Sequence, residues 1–122
     1  MILYDNFYTV KSQQVTEATA QFRIELNGGN FVYQAHFPNN PITPGVCLIQ
    51  MGVELFNLLK GKSFGIKTLK NVKFISPINP LEFPQVDFTF GFALQDSLWQ
   101  VNVLITEKER VFAKISMVLY EK

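Results

Sequence analysis

One segment of the chain, residues 44–60, reads PGVCLIQMGVELFNLLK and differs from the sequence around it. Its apolar residues do not alternate with polar ones, and its length suits a helix. Thr43 is placed to be the N-cap and Pro44 to be the first helical residue, where a missing N–H costs nothing. Lys60 and Gly61 form a typical C-terminal stop. Because apolar residues lie on nearly every side, the pattern predicts a helix that is buried all round.

Strand patterns dominate the rest of the chain. Apolar and polar residues alternate with a period of two over residues 18–26, 86–94, 99–105 and 111–119, and weaker strand patterns cover residues 7–15 and 66–75. Short turns separate these segments, which is typical of an antiparallel sheet. The sequence therefore predicts an α+β fold, with one long helix wrapped by an antiparallel sheet, in a single domain of residues 1–122.

Composition narrows the possible functions. The chain has 122 residues, of which 48% are hydrophobic and 17% charged, which is enough apolar material for a core and too little charge for disorder. Its net charge of +1 favours neither nucleic acid nor a membrane surface as a partner. The single Cys47 excludes an internal disulfide and a multi-cysteine metal site. With no signal peptide pattern and no membrane-spanning segment, we expect a cytoplasmic protein.

The run before the helix, residues 35–46, reads AHFPNNPITPGV and contains the one histidine of the chain, His36. Three prolines stiffen this run. Histidine changes protonation near neutral pH, so His36 is a candidate for proton transfer, and the alternative is an ordinary loop histidine.

This run resembles the motif of 3-hydroxyacyl-acyl carrier protein dehydratases of the hotdog fold, in which His-Phe-Pro-x-x-Pro-x-x-Pro-Gly-Val precedes an apolar helix. A second block, LKNVKFISPI at residues 69–78, supports the resemblance, which runs from about Gln21 to the end of the sequence. It implies a curved antiparallel sheet around a central helix, with dimers formed edge to edge. The implied reaction is the reversible dehydration of a 3-hydroxyacyl thioester to a trans-2-enoyl thioester, as in fatty acid biosynthesis, with no cofactor and no metal.

The resemblance also assigns roles to residues. His36 would act on the proton next to the thioester carbonyl, and the carbonyl of Ile42 would orient its ring. The backbone amide of Gly45, with Val46 beside it in the substrate-binding motif, would hold the thioester oxygen. Amides at a helix N-terminus carry partial positive charge, which suits a developing oxyanion.

The chain departs from the family at the position of the catalytic carboxylate, which stands fourteen residues after the histidine and is Gln50 here. An amide can hydrogen-bond the leaving hydroxyl but cannot protonate it at neutral pH. Glu54 lies four residues further along the same helix face, and burial would favour the protonated form that a general acid needs. In many family members this position is a glutamine, so Glu54 is the candidate acid. The alternatives are that Glu54 is a buried structural hydrogen-bonder and Gln50 a polar group at a dimer contact.

Other functions and partners remain open at this level. The same fold could carry an acyl thioesterase that uses Glu54 to activate water, or a non-catalytic subunit of a heterodimeric dehydratase whose partner supplies the acid. We expect the substrate to be carried by an acyl carrier protein or by CoA. A basic stretch either docks that carrier or is a solvated face, and several phenylalanines either line an acyl tunnel or fill the core. These residues are Lys60, Lys62, Lys67, Lys70 and Lys73, and Phe56, Phe64, Phe74 and Phe83.

Overall fold

Six strands and two helices make up the chain in the computed structural model, which describes residues 2–35 and 39–122. The strands are β1 (Tyr8–Val15), β2 (Thr19–Leu26), β3 (Phe64–Phe74), β4 (Gln85–Gln95), β5 (Leu98–Glu107) and β6 (Arg110–Glu121), and the helices are α1 (Phe31–Ala35) and α2 (Gly45–Lys60). Every predicted strand is present, with bounds that differ by at most two residues. The short helix α1 was not predicted.

The strands form one sheet in the order β1-β2-β4-β5-β6-β3, and all neighbours are antiparallel. The connection from β4 to β5 is a tight turn at Asp96 and Ser97, whose φ angles of 52° and 65° match the twist of a two-residue hairpin. Strands β1 and β3 are the two edges. The pairing of β3 with β6 is irregular at Lys67 and at Lys70, where the register shifts by one residue.

The core lies between the sheet and α2. Alternate residues of β4, β5 and β6 are buried, as the period of two predicts, and the buried face of α2 packs on them. Gly52 brings the helix close to the sheet, because a Cβ there would lie 3.5 Å from Met117 and 3.7 Å from Val103. Phe56 is fully buried among aromatic rings that include Phe64, with 5.0 Å between the two ring centroids. Burial of such a side chain contributes roughly 1.5–3 kcal/mol.

The start of α2 differs from the prediction by one residue. The helix begins at Gly45, its N-cap is Pro44, and no side chain caps it, so the prediction of Thr43 as N-cap is wrong. The Thr43 hydroxyl instead donates to the Ile78 carbonyl at 3.0 Å and lies 2.9 Å from the Tyr33 hydroxyl. Thr43 therefore ties the segment before the helix to the segment after β3.

The end of α2 confirms the prediction, since Gly61 adopts the left-handed conformation with φ 64° and its N–H donates to the Asn57 carbonyl. The prediction of a helix buried all round is wrong. Val46 is 65% exposed, and Ile49 and Gln50 are only half-buried. The sheet covers one side of α2 and leaves a stripe open, here called the helix stripe and formed by Val46, Ile49, Gln50 and Asn57.

Candidate active site

A pocket of about 390 Å³ opens at the N-terminal end of α2. Ile42 and Gly45 lie on one side of it, and the segment from Phe74 to Ile78 lies on the other. Leu48 adds to a mainly apolar lining. The pocket thus has room for an apolar group beside the start of the helix.

The first two amides of α2 have no hydrogen-bond acceptor among residues 2–35 and 39–122. The N–H groups of Cys47 and Leu48 both donate to the Pro44 carbonyl, at 3.0 and 3.3 Å, whereas the N–H groups of Gly45 and Val46 donate to no described group. Uncapped amides at the start of a 16-residue helix are hydrogen-bond donors with partial positive charge. This end of α2 can therefore hold an anion or a developing oxyanion.

The ring of Phe74 lies directly against Gly45. A Cβ on Gly45 would lie 2.5 Å from Cζ and 2.6 Å from Cε2 of Phe74, a contact that real side chains do not make. Glycine at this position therefore makes room for Phe74, in addition to any substrate. Because Phe74 is 54% exposed, its ring has space to turn away from the helix.

Gln50 and Glu54 lie in a different place. They line a second pocket, of about 500 Å³, between the middle of α2 and the start of β3, together with residues such as Asn57 and Gly65. No residue lines both pockets. Within one chain the structure brings Ile42 and Gly45 together, and Gln50 and Glu54 together, but does not join the two pairs. Val46 lines neither pocket.

The carboxylate of Glu54 accepts four hydrogen bonds from within the chain. Its Oε2 accepts from the Leu3 backbone N–H and from Gln50 Nε2, both at 2.8 Å. Its Oε1 accepts from the Tyr4 backbone N–H at 2.9 Å and from the Tyr8 hydroxyl at 3.1 Å. Glu54 therefore fastens residues 2–8, here called the N-terminal strap, across the middle of the helix.

These contacts match the structural alternative for Glu54. Hydrogen bonds to a charged acceptor contribute roughly 1.5–3 kcal/mol each, and the side chain is only 8% exposed. Burial, together with the neighbouring Glu54 carboxylate, raises the pKa of Tyr8 far above its ordinary value, so Tyr8 remains a donor. The role of Glu54 as a general acid stays a prediction. No local sequence pattern predicts the strap, because its contacts with Glu54 span 46 to 51 residues.

The remaining predicted residues are His36, Cys47 and the phenylalanines singled out above. His36, with Phe37 and Pro38, lies outside the described residues, so its contact with the Ile42 carbonyl stays a prediction. Cys47 is buried, and burial raises the pKa of its thiol. Among the phenylalanines singled out, Phe74 lines the pocket at Gly45, and Phe56 and Phe64 pack together.

Two features are absent from residues 2–35 and 39–122. None of the helices there has the length and hydrophobicity needed to cross a membrane. The His, Cys, Asp and Glu side chains there form no group of three that could hold a metal ion.

Comparison of the fold with solved structures finds close matches. The dehydratase heterocomplex ApeI:P from Xenorhabdus doucetiae superposes with a TM-score of 0.67 at 17% identity, covering 91% of this chain and 96% of that one. The E. coli PaaI protein from the phenylacetic acid degradation operon gives a TM-score of 0.64 at 11% identity, covering 94% and 79%. A conserved protein from Pseudomonas aeruginosa gives 0.68 at 9% identity, covering 96% and 90%. These likenesses confirm the predicted hotdog fold.

The sequence matches a protein family, although no individual curated protein matches it. The family of ApeI-like dehydratases, described as ApeI dehydratase, matches residues 12–113, which is well over half of the sequence. The chain therefore belongs to the ApeI-like dehydratase family.

Proposed function

We propose that the protein dehydrates a 3-hydroxyacyl thioester to the trans-2-enoyl thioester, in fatty acid biosynthesis or a related lipid or polyene pathway. One observation carries the proposal most strongly. The amides of Gly45 and Val46 have no acceptor among the described residues, and Gly45 lines an apolar pocket of about 390 Å³ at the end of the run that contains His36. A thioester oxygen at the amides and an acyl chain in the pocket would place the reacting carbons near that run.

His36 and the Gly45 amide carry out different parts of the proposed elimination. His36 removes a proton from the carbon next to the thioester carbonyl, and the negative charge that develops on the carbonyl oxygen is held by the Gly45 N–H. The hydroxyl on the next carbon leaves as water after it receives a proton, and the double bond forms between the two carbons. A preorganised amide donor of this kind typically contributes about 10²–10³-fold to the rate. The enoyl thioester and water together contain all the atoms of the substrate, so the reaction needs no cofactor.

Phe74 would control access to the oxyanion site. Its ring lies where a Cβ of Gly45 would stand, so a thioester that approaches Gly45 from that side needs the ring to turn outward. The exposure of Phe74 and its place at the end of edge strand β3 allow that turn without disturbing the core. We propose Phe74 as a substrate-contacting residue of the pocket.

The proton for the leaving hydroxyl needs a source other than Gln50. The four hydrogen bonds of Glu54 support an anchoring role, in which Glu54 also fixes the Gln50 amide at 2.8 Å. Because the Gly45 and Gln50 pockets are separate within one chain, we propose that the complete site forms in a dimer. The helix stripe of one chain would then face the His36 run of the other. The solved relative is a heterocomplex, which supports a second chain as the source of the acid.

We propose that an acyl carrier protein presents the thioester. Lys60 and Lys62 support this, because they line a pocket of about 300 Å³ at the C-terminal end of α2. Lys62 is paired with Glu121 at 3.2 Å, on an exposed surface where the pair contributes little to stability. Charge reversal at Lys62 should raise KM for a carrier-linked substrate but not for a small pantetheine thioester. Equal effects on both substrates would refute carrier docking at this place.

The function can be tested by incubating the protein, alone and with its partner chain where one co-purifies, with a 3-hydroxyacyl thioester. Enoyl absorbance should rise without release of free thiol, and His36→Ala should lower the rate about 10²–10⁴-fold. Release of thiol would identify a thioesterase instead. Neither product, from a chain whose assembly is verified, would contradict the proposed dehydration.

A further inference from the structure

We propose that Tyr33 and Thr43 are positioning residues for the pocket at Gly45. A chain of buried hydrogen bonds, here called the pocket clamp, joins the Tyr33 hydroxyl, the Thr43 hydroxyl and the Ile78 carbonyl. It fixes the first turn of α2 against the opposite wall of the pocket. This inference rests on the dehydration proposed above, because the pocket clamp acts through the Gly45 amide and touches no reacting atom.

The pocket clamp joins the two walls of the pocket. One wall is formed by residues 42–45 and the other by residues 74–78. The Thr43 backbone N–H donates to the Ile78 carbonyl at 2.8 Å, and the Thr43 hydroxyl donates to the same oxygen at 3.0 Å. Among residues 2–35 and 39–122, the hydrogen bonds that connect the two walls all run between Thr43 and Ile78. The separation of the walls therefore depends strongly on this contact.

Tyr33 holds the Thr43 hydroxyl from outside the pocket. The two hydroxyl oxygens lie 2.9 Å apart. Because the single hydrogen of the Thr43 hydroxyl goes to Ile78, Tyr33 is the donor in this pair. The Tyr33 ring is almost fully buried and stacks on Phe7, with 5.0 Å between the ring centroids. Tyr33 does not line the pocket, so its effect on the pocket passes through Thr43.

The place of Thr43 in the chain connects it to the start of the helix. Tyr33 belongs to α1 and Thr43 stands just before α2, so their contact brings together the two ends of the run that contains His36. Pro44 follows Thr43, with φ fixed near −61°, and its carbonyl accepts the first hydrogen bonds of the helix. A displacement of Thr43 is therefore passed on directly to the Gly45 amide.

Packing alone does not require a hydroxyl at position 43. Thr43 is buried, and apolar groups of the same shape can replace a buried hydrogen-bonded pair at nearly no cost in stability. A fully bonded buried polar chain instead specifies one geometry. Bonding to Ile78 also keeps the Thr43 hydroxyl away from the N–H groups of Gly45 and Val46, which then remain available to a ligand. Both features support a positioning role.

The first test compares substitutions at Thr43. Thr43→Val removes the hydroxyl and should lower kcat by about 10- to 10²-fold, because a displaced oxyanion donor weakens binding of the transition state. KM should change by less than about twofold, since the apolar lining of the pocket remains. Thr43→Ser keeps the hydroxyl and should retain kcat within about twofold. An unchanged kcat in Thr43→Val would overturn the proposal.

A double variant separates positioning from stability. Thr43→Val leaves the Tyr33 hydroxyl buried without an acceptor, so the midpoint of urea unfolding should fall. Adding Tyr33→Phe removes that hydroxyl and should raise the midpoint again, whereas kcat should stay low. The control is Ile24→Val in the core of β2, which should lower the midpoint and leave kcat unchanged. Recovery of kcat together with the midpoint, or an equal loss of kcat in the control, would overturn the proposal.

A second readout involves no turnover. In ¹⁵N–¹H spectra, Tyr33→Phe should move the amide peaks of Gly45 and Val46, although position 33 is distant from both in sequence, and Ile24→Val should leave them in place. If the unaltered chain forms no enoyl product, the proposed dehydration fails and these peaks still decide on the pocket clamp. Unmoved peaks in a folded Tyr33→Phe protein would overturn it.

Discussion

Two turns of α2 use their hydrogen-bonding groups in opposite ways. At the first turn, the N–H groups of Gly45 and Val46 have no acceptor among the described residues, and Gly45 lines an apolar pocket. At the third turn, the Glu54 carboxylate accepts four hydrogen bonds. The difference indicates that the first turn has donors available to a ligand and that Glu54 holds the N-terminal strap.

An uncapped helix start has a cost, since replacing a side-chain cap typically loses about 0.5–2 kcal/mol. Here Thr43, the nearest residue able to cap, bonds Ile78 instead. The helix thus keeps its first donors exposed at some expense in stability, which is common at sites where a ligand later takes the place of the cap.

The largest expected effect is at the third turn of α2, where Glu54 accepts four hydrogen bonds. Glu54→Gln should lower the free energy of unfolding by about 3 kcal/mol, because an amide offers one acceptor oxygen and its NH₂ would face the Leu3 or Tyr4 N–H. Urea unfolding measures the change. Glu82→Gln, at an exposed position, is the control and should shift stability by less than about 0.5 kcal/mol. Equal losses in the two variants would mean that the strap is not held by Glu54.

A second carboxylate beside Glu54 should also destabilise the fold. Gln50→Glu replaces the donor that lies 2.8 Å from Glu54 Oε2 with a like charge, at a cost of about 2 kcal/mol at neutral pH. Urea unfolding at neutral pH measures this cost. A loss of less than about 0.5 kcal/mol would contradict direct contact between positions 50 and 54.

The first turn of α2 should tolerate substitution better than the third turn. Gly45→Ala places a Cβ against the Phe74 ring and should cost about 1 kcal/mol, and Phe74→Ala in the same chain should remove that cost. A double-mutant cycle of unfolding free energies measures the coupling. Gly91→Ala is the control, since its Cβ would meet nothing within 4 Å. If the two substitutions at positions 45 and 74 are additive, the contact does not exist in solution.

The smallest effect concerns the tyrosines. Burial raises the pKa of Tyr8 and of Tyr33 above the ordinary value. Because an acid whose folded pKa is raised stabilises the fold below its unfolded pKa, this contribution should persist up to about pH 10 and disappear as pH rises further. Phenolate absorbance should show both groups ionising only as the protein unfolds. Ionisation of all four tyrosines of the chain before unfolding would contradict the burial of Tyr8 and Tyr33.

Local sequence patterns predicted the strands and the helix because periodicity follows from which face is buried. The resemblance to hotdog dehydratases, and not periodicity, assigned Ile42 and Gly45 to one site, and both line one pocket of the structure. Sequence reasoning offered a buried hydrogen-bonding role for Glu54 as an alternative, but it could not identify the partners Leu3, Tyr4 and Tyr8, which lie 46 to 51 residues away. It also overestimated the burial of α2, because apolar residues such as Val46 are equally suited to a core and to an interface.

The rate of dehydration by the Glu54→Gln variant, measured well below its unfolding temperature, tests most directly whether Glu54 takes part in the reaction or only anchors the fold. If Glu54 is an anchor and the site lies at Gly45, dehydration of a 3-hydroxyacyl thioester should continue within about tenfold of the unaltered rate once folding is verified. A loss of about 10²-fold or more in a folded protein would show that Glu54 supplies the proton, as positioned acid catalysis would require.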